Sequence, residues 1–307
     1  MMNDLLVGST GFVGGNLMAA HDFEAVCHSS DVRNHYGSAP GLCIYAGVTG
    51  AMFLANHAPE KDLAIVMAAR ENIRRIAPDC LVLISTIAVY DDTHGKNEES
   101  SIDESRVCDY GRHRLMLERW IREDRPDALI VRIPALYGKG LKKNFLFDLH
   151  SMTPPMLTPS KYEELCGQCS LVKDAYFFKD DGFYHIKANT PDLRSFFEHN
   201  SFNALSFTDS RSIYQFYNLS NLWNDICVAL ENGLKVLNIC TPPVSAGQVY
   251  EYVTGRGDWN NTLPGKPFDY DLKSLHAPLY GGTDGYMWSV EKELEDIKNF
   301  MSSWKSF

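Results

Sequence analysis

Short apolar runs of strand length alternate along the chain with longer segments whose apolar residues recur at helical spacing. Leu5-Leu6-Val7 ends at Gly8, and a helical pattern resumes from Phe12 through Ala20. Phe23-Glu24-Ala25-Val26-Cys27 reads as a second strand, and Leu42-Cys43-Ile44-Tyr45-Ala46-Gly47 as a third. From Glu60 to Ile76, the residues Leu63, Ile65, Val66, Met67, Ala69, Ile73 and Ile76 cover a broad helical face, which Pro78 ends. Leu81 to Ser85 is the next strand, and a helix opens at Asp109 and runs through Ile121. Buried-type strands alternating with helices predict an α/β fold, a doubly wound parallel sheet covered on both faces. The stretch between Ser30 and Leu42 has no room for a full helix and strand, so one crossover is abbreviated.

Beyond Gly138 the pattern is less regular. Pro154, Pro155 and Pro159 interrupt it, and a Phe-rich tract follows from Tyr176 to Phe207, with Tyr184, His185, Asn189 and Arg194 interspersed. Regularity returns with a helix from Asn221 to Glu231, a strand from Val236 to Ile239 and a helix start at Ser245. Ser289 caps a final amphipathic helix carrying Leu294, Ile297, Phe300, Met301 and Trp304. No repeat or low-complexity linker divides the chain. The expected organisation is a dinucleotide-type domain over residues 1–139, with 211–240 returning to it. A smaller, interleaved C-terminal substrate lobe takes 140–210 and 241–307.

Charge narrows the class. The 307-residue chain has 39 acidic and 29 basic residues, for a net charge of -10, which disfavours a general nucleic-acid binder. No apolar run approaches the ~20 residues of a membrane span, and no secretory signal precedes the first strand. The expectation is a cytoplasmic protein with neither nucleic-acid nor membrane partner. Of the eight cysteines, only Cys166 and Cys169 have C-x-x-C spacing, without the further ligands zinc needs or the strand-to-helix context of a redox pair. No metal is assigned.

The chemistry begins at Gly8-Ser9-Thr10-Gly11-Phe12-Val13-Gly14, a strand, a tight turn and a helix start. Glycines let the backbone turn sharply and approach a pyrophosphate, whose charge then lies against the free N–H groups at the helix N-terminus. That predicts a dinucleotide site in a Rossmann-like domain. At the end of the second strand an acidic residue favours NAD, whereas basic or hydroxyl residues tolerate the extra phosphate of NADP. The residues there are His28-Ser29-Ser30, with Asp31 as the first carboxylate and Arg33 beyond. NADP is therefore favoured slightly over NAD. Ser85-Thr86 ends a parallel strand, where open α/β sheets bind ligands. Tyr110 and Arg114, at i and i+4, share one helical face. A neighbouring cation stabilises a phenolate and can make tyrosine an acid or base; an aromatic stacked under an arginine on a solvated helix has the same spacing.

Taken in order, residues 8–14, Ile44-Tyr45-Ala46-Gly47, residues 85–90, Tyr110 with its i+4 cation and Val131-Arg132-Ile133-Pro134-Ala135-Leu136-Tyr137-Gly138 resemble the extended short-chain dehydrogenase/reductases. Within them, the closest resemblance is to the NAD-dependent epimerase/dehydratase family that modifies nucleotide sugars. The resemblance covers the first ~140 residues, with a weaker echo at residues 215–222 and 236–239. It implies that Gly8, Thr10, Gly11, Phe12, Val13 and Gly14 bind the pyrophosphate side of the cofactor. His28, Ser29, Ser30, Asp31 and Val32 border its adenosine, while Ala46, Gly47 and Pro134 line the channel. It further implies Thr86 as the hydroxyl that hydrogen-bonds the reacting oxygen, Tyr110 as acid/base and Arg114 as the cation that tunes Tyr110 and holds cofactor. Lys139, Lys142, Lys143 and Asn144 form a local basic patch suited to a substrate diphosphate, although a solvated surface loop has the same composition, and Thr86 would meet the substrate at its reacting oxygen. The helices around 60–76 and 110–121 lie where the family builds a homodimer. Three departures stand out: arginine replaces the family lysine at 114, Asn221 replaces an Asp, and the 30–42 crossover is short. Arginine keeps its charge but does not readily relay a proton. A cofactor-binding protein with impaired catalysis, acting as a sensor or assembly partner, is the alternative this implies; a reductase of a non-sugar carbonyl is another.

Overall fold

The computed structural model describes residues 3–304. The N-terminal half runs β1 (Asp4–Val7), α1 (Phe12–Ala20), β2 (Ala25–Cys27), β3 (Leu42–Tyr45), α2 (Met52–His57), α3 (Pro59–Ile76), β4 (Cys80–Thr86), α4 (Asp109–Asp124), β5 (Leu129–Ile133) and β6 (Ala135–Tyr137). The remainder runs α5 (Phe145–Ser151), β7 (Met156–Leu157), α6 (Pro159–Gln168), α7 (Ser170–Ala175), β8 (Tyr176–Phe178), β9 (Tyr184–Ile186), α8 (Pro191–Glu198), β10 (Ile213–Tyr214), β11 (Phe216–Asn218), α9 (Leu222–Glu231), β12 (Val236–Asn238), β13 (Val244–Ser245), α10 (Ala246–Thr254) and α11 (Val290–Ser303).

Six strands form one parallel sheet in the order β12-β5-β4-β3-β1-β2. Apart from the edge strand β2, where Val26 is exposed, its strands are largely buried on both faces, and alternate residues go to opposite layers. Leu5, Val7, Cys43, Tyr45, Leu81 and Leu83 pack with Val66 and Ile73 of α3 and Leu117 and Ile121 of α4. Leu6, Ile44, Val82 and Val131 pack with Leu17 of α1 and Leu222 and Ile226 of α9. This two-layer burial is why the strands read as continuous apolar runs rather than alternating ones. The winding reverses between β1 and β3, since β2 lies on one side of β1 and every later strand on the other. Such a reversal opens a crevice at the carboxyl ends of the strands. The short crossover after Ser30 becomes a 3-10 turn, Val32–His35, and leaves β2 as the sheet edge.

The described chain divides into two compact units. The first comprises residues up to Gly140, Tyr214–Pro243 and Asp269–Glu293; the second comprises Leu141–Ile213, Val244–Phe268 and the residues from Leu294 on. Residues 269–293, expected in the substrate lobe, thus run with the sheet. Within the first unit, Gln215 explains part of this: its Nε2 donates to the Leu272 carbonyl at 2.9 Å and its Oε1 accepts from Leu272 N at 2.9 Å. The second unit has a small antiparallel sheet in the order β7-β9-β8. Tyr176 and Phe197 of the Phe-rich tract are buried there, whereas Phe177, Phe178 and Phe183 are exposed. Pro159 sits in the first turn of α6, where a missing N–H costs nothing. Ser245 and Gln248 form a capping box on α10. Two expectations change at element level: β2 starts at Ala25 rather than Phe23, and α2 has no counterpart in the sequence reading.

Candidate active site

The glycine turn is built for close approach. Gly8 has φ +95°, and a Cβ on it would lie 2.5 Å from the Ala46 carbonyl oxygen; on Gly14 it would lie 2.2 Å from the Gly8 carbonyl oxygen. The turn is tied to the end of β2 by Gly8 N and Ser9 N, which donate to the Cys27 carbonyl at 2.9 and 3.2 Å. Gly11 is the N-cap of α1 and supplies no side-chain acceptor to the first turn, which also lacks acidic residues. The helix start therefore offers uncapped N–H groups and a positive dipole end to an anion. These are the properties a dinucleotide pyrophosphate needs, so the residues fit the cofactor that the turn implies.

Thr86 is the last residue of β4, and its Oγ1 accepts from Ala88 N at 3.2 Å. Tyr110 is the second residue of α4, and the Thr86 side chain lies near enough to its hydroxyl to act on the phenol. Gly111 makes this approach possible. A Cβ there would lie 1.9 Å from the Ala88 carbonyl oxygen, so only glycine lets the start of α4 rest on the loop after β4. The chain leaving β3 completes the neighbourhood: Ala46 touches Gly8, and a Cβ on Gly50 would lie 3.9 Å from the Tyr110 hydroxyl.

Arg114 lies over the Tyr110 ring, its Cζ 3.9 Å from the centroid. It is 4% exposed. Its Nη1 donates to Asp62 Oδ2 and, at 3.2 Å, to the Tyr110 carbonyl; its Nη2 donates to the Thr49 carbonyl at 2.6 Å. Asp62, from the first turn of α3, is fully buried and also meets His113 Nδ1 at 2.7 Å. Burial works against the Asp62 charge, yet the hydrogen bonds from Arg114 and His113 hold its carboxyl below the usual range. The Tyr110 phenol is raised above its ordinary value. Burial is the main cause, opposed by the Arg114 charge and the Thr86 side chain, while the Asp62 charge adds to the rise.

Several solved structures share this architecture. The dTDP-4-dehydrorhamnose reductase of Bacillus anthracis, solved with NADP, superposes with a TM-score of 0.62 at 14% identity, covering 99% of this chain and 100% of the other. The UDP-glucose 4-epimerase of Thermotoga maritima, with UDP-glucose, gives 0.62 at 12% identity over 98% of each chain. The Bordetella bronchiseptica enzyme WbmG, with NAD and UDP, gives 0.63 at 11% identity over 99% of this chain and 94% of the other. At such identities the likeness speaks for the fold. In sequence, residues 2–154 match the family model of the RmlD substrate binding domain, about half of the 307-residue chain. The chain belongs to the extended short-chain dehydrogenase/reductases. A comparison with curated proteins finds no match.

As a short-chain dehydrogenase/reductase, the protein departs from expectation most at Arg114. The resemblance puts a cation there that reaches cofactor; here the guanidinium is turned into the α3–α4 interface, because Asp62 offers it a buried carboxylate. Val32 differs too, being 2% exposed and part of the core with Leu5, Val7 and Cys27 rather than open to an adenine. Thr10, His28, Ser29, Ser30 and Asp31 are exposed around the turn and the end of β2. Ser30 N donates to His28 Nδ1 at 3.1 Å and Ser30 Oγ to Asp31 Oδ1 at 2.9 Å. Phe12, Val13, Ala46, Gly47 and Pro134 are half-buried. Lys139 belongs to the first unit, whereas Lys142, Lys143 and Asn144 fall in the second. Asn144 caps α5, its Oδ1 accepting from Phe147 N at 3.1 Å. Cys166 and Cys169 are free and half-buried. Among the described residues there is no His/Cys/Asp/Glu group able to hold a metal, and no helix long and apolar enough to cross a membrane.

Other supporting residues went unread in the sequence. Asn16, 5% exposed on α1, clamps the turn after β6: its Oδ1 accepts from Lys139 N at 3.0 Å and its Nδ2 donates to the Lys139 carbonyl at 2.9 Å. Beneath Thr86, Ser85 Oγ donates to Glu118 Oε1 at 2.6 Å, and Arg132 grips the same carboxylate with Nε at 3.1 Å and Nη2 at 2.6 Å. Arg132 Nη1 then donates to the Tyr90 hydroxyl at 2.7 Å. An arginine inside the otherwise apolar strand 129–133 was the one visible signal of this network.

Proposed function

We propose that the protein is an NAD(P)-dependent enzyme acting on a nucleotide-linked sugar by hydride transfer, as a reductase, epimerase or dehydratase, with Tyr110 as acid/base. The observation that carries this reading is the start of α4 seated against the loop after β4, which sets Tyr110 beside the carboxyl end of that strand and beside the main chain that lines the glycine turn. The similar structures solved with NADP, with NAD and UDP, and with UDP-glucose support a nicotinamide dinucleotide and a nucleotide sugar as the ligand classes.

The chain's own part is positional and electrostatic. Gly8, Gly11, Gly14 and the start of α1 hold the pyrophosphate, and Ala46 and Gly47 bound the channel. The exposed hydroxyls and imidazole of residues 28–30 admit NADP as the preferred form; a larger thermal shift with NAD than with NADP would count against that preference. When bound, the dinucleotide supplies or accepts the hydride. Thr86 hydrogen-bonds the reacting oxygen, and Tyr110 exchanges a proton with it. Lys139, Lys142 and Lys143 serve the substrate diphosphate. A homodimer through α3 and α4 accompanies this reading, supported by the 56% exposure of Met67 on α3; a monomer mass in sedimentation equilibrium rejects it.

Tyr110→Phe tests the assignment. The expected outcome is loss of turnover by about 10²-fold or more on whichever nucleotide sugar stabilises the purified protein, with dinucleotide affinity nearly unchanged. Turnover comparable to wild type removes Tyr110 from the mechanism. Tight dinucleotide binding with no hydride transfer to any nucleotide sugar in a panel favours a catalytically impaired sensor instead.

A further inference from the structure

Arginine holds its charge across the whole working range of pH. Set over the Tyr110 ring at 3.9 Å, an unopposed guanidinium would favour the phenolate and make the tyrosine a standing base. Here it is opposed. Asp62 Oδ2 takes both Arg114 Nη1 and the contact with His113 Nδ1, while Asp62 Oδ1 is buried with no hydrogen-bond partner. A buried carboxylate with one oxygen unmatched is expensive, and apolar side chains pack two helices together at least as well. Joining α3 to α4 is therefore a poor account of why a carboxylate stands at this position.

We propose that Asp62 is a positioning residue for Tyr110: it holds the Arg114 guanidinium over the ring and offsets its charge, so that the tyrosine stands protonated, as an acid ready to deliver its phenolic proton to a substrate carbonyl oxygen. The inference rests on the reading of Tyr110 as the acid/base. In the reductive step the carbonyl carbon gains a hydride from reduced nicotinamide and its oxygen gains the phenolic proton. The carbonyl becomes an alcohol, the dinucleotide is oxidised, and the phenolate left behind recovers a proton from solvent. The charged groups that act on Tyr110 are Arg114 on its own helix and Asp62 on α3, which His113 also contacts, and Thr86 of β4 acts on it as a neutral neighbour. The rise of the phenol above its ordinary value, with Asp62 among the causes, agrees with this arrangement.

Asp62→Asn keeps the size and an acceptor for Nη1 while removing the charge. Ionisation of Tyr110 in the full-length protein with oxidised dinucleotide bound is read by ultraviolet difference titration, subtracting Tyr110→Phe in the same background. The expected result is a midpoint lowered by roughly one pH unit in Asp62→Asn, with the alkaline limb of the reduction rate moving by the same amount. An unchanged midpoint, with only a lower melting temperature, overturns the proposal and leaves Asp62 as a helix tie. The wild type gives a second test that needs no Asp62 variant: its Tyr110 midpoint should lie above the ordinary phenol value of about 10, and a midpoint below that value also overturns it. The titration requires no turnover. Retained activity in Tyr110→Phe would therefore remove the catalytic reading while the link between Asp62 and the phenol was still measured.

Discussion

Gly111 shows how a residue without a side chain governs the site. In an exposed helix, glycine to alanine stabilises by about 1 kcal/mol. At this position the added Cβ would meet the Ala88 carbonyl oxygen at 1.9 Å and Val107 Cγ1 at 2.7 Å, so α4 must lift off the loop after β4. Gly111→Ala is expected to cost about 1–3 kcal/mol net and to move Tyr110 away from Thr86. Turnover should fall by about 10²-fold with dinucleotide affinity kept, as read by chemical denaturation, steady-state kinetics and thermal shift. Stabilisation with normal turnover would show that the helix start adjusts freely. The glycines at 8 and 14 were legible from spacing alone, because the turn they make is local. Gly111 was not, since its partner Ala88 is brought near only by the fold.

At the scale of elements, β4, α4 and β5 are joined by a buried polar network. Glu118 is 1% exposed and Arg132 4% exposed, and they meet in a forked ion pair that also carries Ser85 and Tyr90. Arg132 is held well above its ordinary value: burial opposes its charge, and the Glu118 carboxylate more than offsets that. Removing one partner strands the other. Glu118→Ala is expected to destabilise by about 3–5 kcal/mol, whereas Glu118→Leu combined with Arg132→Met should recover most of that loss. Urea denaturation of the single and double variants checks this, and equal losses in both would mean that packing rather than stranded charge sets the cost. The run of strands and helices was visible in the periodicity. The network was not, because its members are up to 47 positions apart in sequence, from Ser85 to Arg132, and only sheet pairing and helix packing bring them together.

At the scale of the whole molecule, two half-buried or buried carboxylates tie stability to pH. Burial pushes Asp148 on α5 up to about 7. Burial likewise raises Asp225 on α9 to about 6, against the hydrogen bond from the Tyr217 hydroxyl. Between the ordinary carboxylate value and these raised values the folded chain binds more protons than the unfolded one, so stability falls as pH rises through that window. Asp148→Asn should therefore be more stable than wild type at pH 8, by on the order of 2 kcal/mol, with the difference vanishing towards pH 4. Denaturation midpoints at both ends of the range measure it; a constant difference would show that the raised value is not the cause.

By itself the sequence determined the doubly wound parallel sheet and the glycine turn, which follow from local rules of periodicity and glycine spacing; residues 86 and 110 came together as candidates for chemistry only through the family resemblance. Tertiary structure decided what surrounds them. It turned Arg114 away from solvent towards Asp62, buried Val32 in the core, returned residues 269–293 to the sheet unit and set Gly111 against Ala88. These outcomes depend on which distant groups share a low-dielectric space, where an unpaired charge or a missing methyl's worth of room costs kcal/mol. Adjacency along the chain carries no record of that.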